Sequence, residues 1–116
     1  MHLGLKTLLI LGLGAALYAC ASLEPLTGSD LLKAQRRYPD ATLAQLTAGR
    51  SLYTEKCGRC HYLYPSSKLT LSGWRKELAA MKVKARLEAN DLELITRYLS
   101  IGARETEPAD SITGKF

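Results

Sequence analysis

Cys57-Gly58-Arg59-Cys60-His61 constrains this chain more than any other stretch. Two thiols separated by two residues, with an imidazole directly after the second, match the attachment signature of a c-type haem. The order has a chemical reason. Within one turn of chain both sulfurs can form thioethers to the porphyrin vinyl groups, while the next side chain swings under the ring and ligates the iron. Cys57 and Cys60 are thus read as the attachment points and His61 as the proximal ligand. A CxxC pair can also close a disulfide or act as a redox couple, and exported CxxC pairs without haem exist. Half of a zinc site would need further Cys or His ligands at a second spacing. The rest of the chain offers only Cys20 and His2, both in the N-terminal region.

The other end of the argument is export. A length of 116 residues suits one domain, but part of its hydrophobicity is not fold. Lys6 is followed by the apolar run Leu8 to Leu17 and then by small residues, the pattern of a secretory signal and too short for a stable membrane span. A buried N-terminal helix is disfavoured by Gly4, Gly12 and Gly14 and by the lack of a polar face. Residues 1–19 are therefore taken as a signal peptide. Its end, Leu17-Tyr18-Ala19-Cys20, resembles the lipobox of bacterial lipoproteins, which implies acylation of Cys20. Tyr18 is a less usual occupant of its position, and plain cleavage nearby or an uncleaved anchor are the other readings. Cysteine arithmetic agrees with acylation, since the pair at 57 and 60 leaves one odd thiol. Several acyl chains hold far more firmly than one. Ala21 and Ser22 resemble lipoproteins sorted to the outer membrane rather than retained at the inner one.

Residues 20–41 read as the lipidated N-terminus and a tether, punctuated by Pro25, Gly28 and Pro39, with a helical turn around Leu31 to Arg37. Asp30 could cap that turn, and Leu31, Leu32 and Tyr38 could pack back on the domain. The domain is expected over 42–101. Its first helix starts at Thr42 and carries Leu43, Leu46, Gly49, Leu52 and Tyr53 on one face. Another opens at Ser72, with Trp74, Leu78 and Met81 at i, i+4 and i+7 on a common face and Glu77 in its early turns. The last starts around Asn90 and aligns Leu92, Ile95, Tyr98 and Leu99. From 102 to 116 periodicity is lost, as in a C-terminal tail.

These features together resemble the cytochrome c family over about residues 42 to 101. The resemblance implies an all-α fold, a small domain of three to four helices around one covalently bound haem c. In that family the N-terminal helix crosses the C-terminal one at a small residue beside an aromatic, which Gly49 and Tyr53 match, with Tyr98 and Leu99 on the far helix. A tolerated surface glycine is the plainer alternative. The family's acceptor for the proximal imidazole is often a downstream proline carbonyl. Pro65 is the only proline between His61 and Glu107, though as a turn former it needs no such role. A second axial ligand is expected, and a thioether there favours ferrous iron. With the signal removed, Met81 is the only methionine and His61 the only histidine. Relatives with a Trp one or two turns before the methionine make Trp74 part of the haem environment. A Met at helical spacing beside Trp and Leu is also a common core filler.

The function expected from this reading is one-electron transfer by a His/Met-ligated haem on a lipid anchor, on the periplasmic side of a bacterial membrane, with the outer membrane favoured. No catalytic Ser-His-Asp pattern or phosphate-binding loop is visible, and the one histidine committed to iron removes the usual general base, so no enzyme is expected. The formal charge is +5, and +4 without Lys6. Arg75, Lys76, Lys82, Lys84 and Arg86 gather around Met81 against Glu77 alone, a rim suited to redox partners with acidic docking surfaces or simply a solvated helix face. An exported chain without a base-stacking platform is not expected to bind nucleic acid. Two other functions fit the same residues: a haem-binding subunit or sensor with a labile sixth ligand, and a lipoprotein with a Cys57-Cys60 structural disulfide and no haem.

Overall fold

Three threonines open three of the four α-helices found among residues 24–106, the part of the chain that the computed structural model describes. The signal segment, Cys20 and residues 107–116 of the tail lie outside the described residues. Helix α1 spans Gly28–Gln35, α2 Leu43–Leu52, α3 Leu71–Met81 and α4 Ala89–Leu99. At α1 the Thr27 hydroxyl accepts from the Asp30 N–H while the Asp30 carboxylate accepts from the Thr27 N–H at 2.9 Å. Thr42 and Gln45 do the same at α2, at 3.2 and 3.1 Å. Each such box satisfies two backbone donors that a helix start would otherwise leave open. Thr70 Oγ1 accepts from the Gly73 N–H at 3.1 Å and starts α3, so the expected cap, Ser72, lies inside the first turn and bonds Thr70 instead. At α4 the N-cap is Glu88, whose N–H is met by the Asp91 carboxylate at 3.0 Å. Asn90, the expected cap, is already helical.

Helix α2 does not stop at Leu52 but widens into a π-helical turn, Tyr53–Cys57, that delivers the thiol pair. A short 3₁₀ turn, Ser66–Lys68, follows. An isolated parallel bridge joins Thr70 to Arg104.

The larger part of the core gathers Tyr53, Cys57, Trp74, Leu78, Leu87, Ile95, Leu99 and Ala103. Ile95 and Leu99 of α4 and Leu46 of α2 are fully buried, each worth roughly 1.5–3 kcal/mol of removed apolar surface. The main packing is α2 against α4, and Gly49 is its point of closest approach. A side chain at 49 would overlap the Leu94 carbonyl and lie 2.9 Å from Tyr98 Cβ. Gly49 is therefore the small residue at a helix crossing.

The segment before α2 is more than a tether. Ala34, Ala41 and Leu46 form a second buried group with Leu26, Leu31, Tyr38 and Ile101 around it, so the boundary drawn at residue 42 falls inside a packed layer. Arg37 donates to the carbonyls of Ser100 and Ala103 at 3.0 and 3.2 Å and pairs with Glu105 at 2.9 Å. A guanidinium there satisfies carbonyls that the end of α4 leaves open and suits the negative end of its dipole. Arg97 reaches back to Asp40 at 2.9 Å and to Glu93 at 2.8 Å, its guanidinium 4.9 Å from the Tyr38 ring centre. Asp30 does not cap α1; it reciprocates Thr27.

Between α3 and α4 the chain turns tightly. Leu87 N–H donates to the Lys82 carbonyl at 2.9 Å, and Arg86 holds a left-handed φ of 52°. That conformation costs an L-residue on the order of 1 kcal/mol, here offset by seating Leu87 in the core. Among the described residues no helix is long and apolar enough to cross a membrane.

Candidate functional site

The π-helical turn, the 61–69 loop and one face of α3 enclose a cavity of about 450 Å³. Its walls are Tyr53 and Cys57 from the turn, His61, Tyr64 and Leu69 from the loop, and Trp74, Leu78 and Met81 from α3. Two charged side chains join them, Lys68 and Glu77. The spacing Trp74, Leu78, Met81 had placed those three on one face, and all three line the cavity. Glu77 shares the face because it follows Trp74 by three residues, a neighbour relation on any α-helix.

Cys57 is buried in the wall, and burial first, then the neighbouring Cys60 charge, pushes its thiol above the usual range. Cys60 is exposed and stands outside the wall, its N–H 3.4 Å from the Cys57 carbonyl. The two thiols are not joined to each other. His61 presents its ring at the rim. Nδ1 lies 2.8 Å from the Tyr62 carbonyl, which places the ring proton on Nδ1 and leaves Nε2 with its lone pair. This is the arrangement that orients a ligating imidazole and strengthens it as a donor. The acceptor is Tyr62 and not Pro65, whose carbonyl accepts from the Lys68 N–H at 2.9 Å and holds the 3₁₀ turn. The reason is reach: the neighbouring carbonyl is already within hydrogen-bond distance of the ring. Pro65 itself lines an adjoining recess with Arg50, Tyr53 and Tyr98.

Two aromatic side chains fix the walls. Tyr53 donates its hydroxyl to the Tyr64 carbonyl at 2.8 Å, tying the turn to the loop. Its ring meets Trp74 edge to face at 6.1 Å. Burial, aided by the Cys57 charge, pushes its phenol up to about 12. Trp74 donates Nε1–H to the Ser66 carbonyl at 2.7 Å and so joins α3 to the same loop. Trp74 is thus a wall residue with a structural bond, as buried Trp usually is. The His61 and Tyr64 rings lie 5.9 Å apart, and Lys68 Nζ sits 5.5 Å from the Tyr64 ring centre.

The donor set fits a covalently held haem. A buried thiol, an imidazole with a fixed Nδ1 proton and a thioether line one apolar cavity, and soft sulfur with imidazole nitrogen is what haem iron takes. On α3 and the turn after it, Lys76, Lys82, Lys84 and Arg86 are exposed, while Arg75 is engaged with the Tyr38 hydroxyl at 2.8 Å. Tyr62, next to His61 in the chain, and Val83, two residues after Met81, are 93% and 86% exposed.

A family model described as dihaem cytochrome c matches residues 53–115. None of the curated proteins and none of the solved structures matches the chain. The matched region contains the CxxCH stretch, the cavity face of α3 and all of α4. The description speaks of two haems, whereas the chain's three cysteines supply one CxxCH motif.

Proposed function

The chain belongs to the dihaem cytochrome c family, and we propose that it is a one-electron carrier rather than an enzyme and that it holds a single haem c. Covalent haem and haem-based electron transfer come with a c-type cytochrome; the single haem is our reading, supported by the one CxxCH motif. Cys57 and Cys60 would hold the group through thioethers, and His61 and Met81 would supply ligands to its iron. When bound, haem supplies the ferric/ferrous couple. The Tyr62 carbonyl holds the His61 ring in its ligating tautomer. Tyr53, Trp74 and Leu78 keep water from the site. The exposed lysines near Met81 steer acidic redox partners, and Tyr62 and Val83 offer an apolar contact beside them. Cleavage of the signal and acylation of Cys20 place the protein on the periplasmic side of a bacterial membrane. The observation that carries this reading is that Cys57, His61 and Met81 line one apolar cavity.

The visible spectrum of the full chain, matured with a cytochrome c assembly system, tests it. A sharp ferrous α band together with the weak far-red ferric band of a sulfur ligand is expected, with one haem per chain by haemochrome assay and intact mass. Met81→Ala should add a high-spin component and bind carbon monoxide or cyanide quickly, with the haem still attached. An unchanged spectrum and continued ligand exclusion in Met81→Ala would make Met81 a packing residue. A wild-type high-spin spectrum would point to a ligand-binding subunit or sensor, and no Soret band to the Cys57-Cys60 disulfide.

A further inference from the structure

The domain starts close to the position at which the lipid would be attached. Arg50 Nη1 donates to the Glu24 carbonyl at 2.6 Å, and Leu26 packs into the group around Ala34 and Leu46. Glu24 follows Cys20 by four residue steps, and an extended chain of that length spans at most about 14 Å. An acylated Cys20 therefore cannot hold the domain far from the bilayer. The element that follows is α1, and its inner face is occupied, with Ala34 fully buried and Leu31 packed beside it. On the outer side Leu32 is 67% exposed, and Lys33 and Arg36 are exposed beside it. Lys33 pairs loosely with Asp30 at 3.7 Å, and Glu24 contributes one exposed carboxylate nearby. An apolar side chain between long-stemmed cations is a surface suited to an anionic lipid interface, with the stems in contact and the charges at the headgroups.

Resting on the reading that Cys20 is acylated, we propose that the outer face of α1, carried by Leu32, Lys33 and Arg36, lies on the anionic headgroup layer of the membrane that holds the anchor. The domain then rests against the bilayer instead of standing off it. Arg50, which grips the incoming segment at Glu24, lies three residues before Tyr53, about 4.5 Å along the helix axis. The wall of the haem cavity is accordingly near the lipid, and electron exchange favours partners whose docking site is itself close to the membrane surface.

Thiol accessibility on the full-length, haem-loaded protein tests this. With Cys57 and Cys60 in thioethers and Cys20 acylated, a cysteine introduced by Ser29→Cys on α1 or by Val83→Cys beyond α3 is the free thiol. Its reaction rate with a water-soluble maleimide is compared in detergent and in phosphatidylglycerol-containing vesicles, after intact mass has shown the acyl groups. Slowing at residue 29 on vesicles, with residue 83 unchanged, is the expected result. Lys33→Gln and Arg36→Gln should each lower the resting-to-free ratio about five-fold, the equivalent of about 1 kcal/mol per basic residue at an anionic surface. Equal rates at residue 29 in both media, or slowing at 83 alone, overturn the proposal while leaving the anchor intact. Absence of acyl mass on the N-terminus overturns the anchor, and this proposal with it.

Discussion

Replacing Gly49 by alanine sets two effects of opposite sign against each other. Helix propensity alone favours the change by about 1 kcal/mol. The new methyl, however, would overlap the Leu94 carbonyl and sit 2.9 Å from Tyr98 Cβ. Both obstacles belong to α4, and the nearer is backbone, which cannot rotate away. Overpacking usually costs about 1–3 kcal/mol, and a backbone obstacle belongs at the upper end. The net expectation is a loss of about 2 kcal/mol, a fall in melting temperature of roughly 8–16 °C for a domain of this size. Ala48→Gly is the control, at the adjacent and exposed position, where glycine should cost only the propensity difference of about 1 kcal/mol. Thermal unfolding of the haem-loaded protein, followed by far-UV circular dichroism with the visible spectrum as a check on the site, reads both. If Gly49→Ala melts at or above the wild-type temperature, α2 and α4 do not cross at residue 49 and the core described above is wrong in its central contact.

Two further expectations follow from other contacts. Arg37→Ala removes two bonds to backbone carbonyls and the Glu105 pair, a loss of about 2 kcal/mol given the partly exposed side chain; hydrogen exchange should quicken in α1 before α3, and uniform protection would show that α1 does not depend on this clasp. Tyr53 ionises at about 12 when folded and near 10 when unfolded, so the unfolded chain loses its proton first, and the stability present below pH 10 should fall as pH rises through 10 to 12. Urea unfolding across that range should show a shallower fall in Tyr53→Phe, and an identical fall would remove Tyr53 as the cause.

Much of the helical part of the fold could be read from spacing. Thr42 as a cap and the i, i+4, i+7 face of Trp74, Leu78 and Met81 follow from local pattern, and Gly49 at a crossing follows from the family resemblance. What could not be read depends on contacts distant in sequence. Thr70 and Ser72 are both good caps; the choice of Thr70 goes with its pairing to Arg104, 34 residues away. The segment before α2 looked like a tether because its partners, Ser100, Ala103 and Glu105 for Arg37 and Arg97 for Asp40, lie at the other end of the chain. At the site, the nearness of Cys57 and His61 was legible from one motif, whereas the Tyr62 acceptor depended on a ring angle and Glu77 on which helix face met the cavity.

The π-helical turn at Tyr53–Cys57 makes the site depend on a count of residues as well as on their kinds. Upstream, the face of α2 is set by its packing on α4; downstream, the motif must meet the cavity. Between them the chain holds one residue more per turn than α-helical winding would. Wound as an α-helix at about 100° per residue, the same five residues would carry everything beyond them further round the axis by roughly the rotation of one residue. Cys57 and His61 would then point away from a cavity whose other walls were still in place. The looser turn is a phase adjuster between a helix committed to the core and a motif committed to the cofactor.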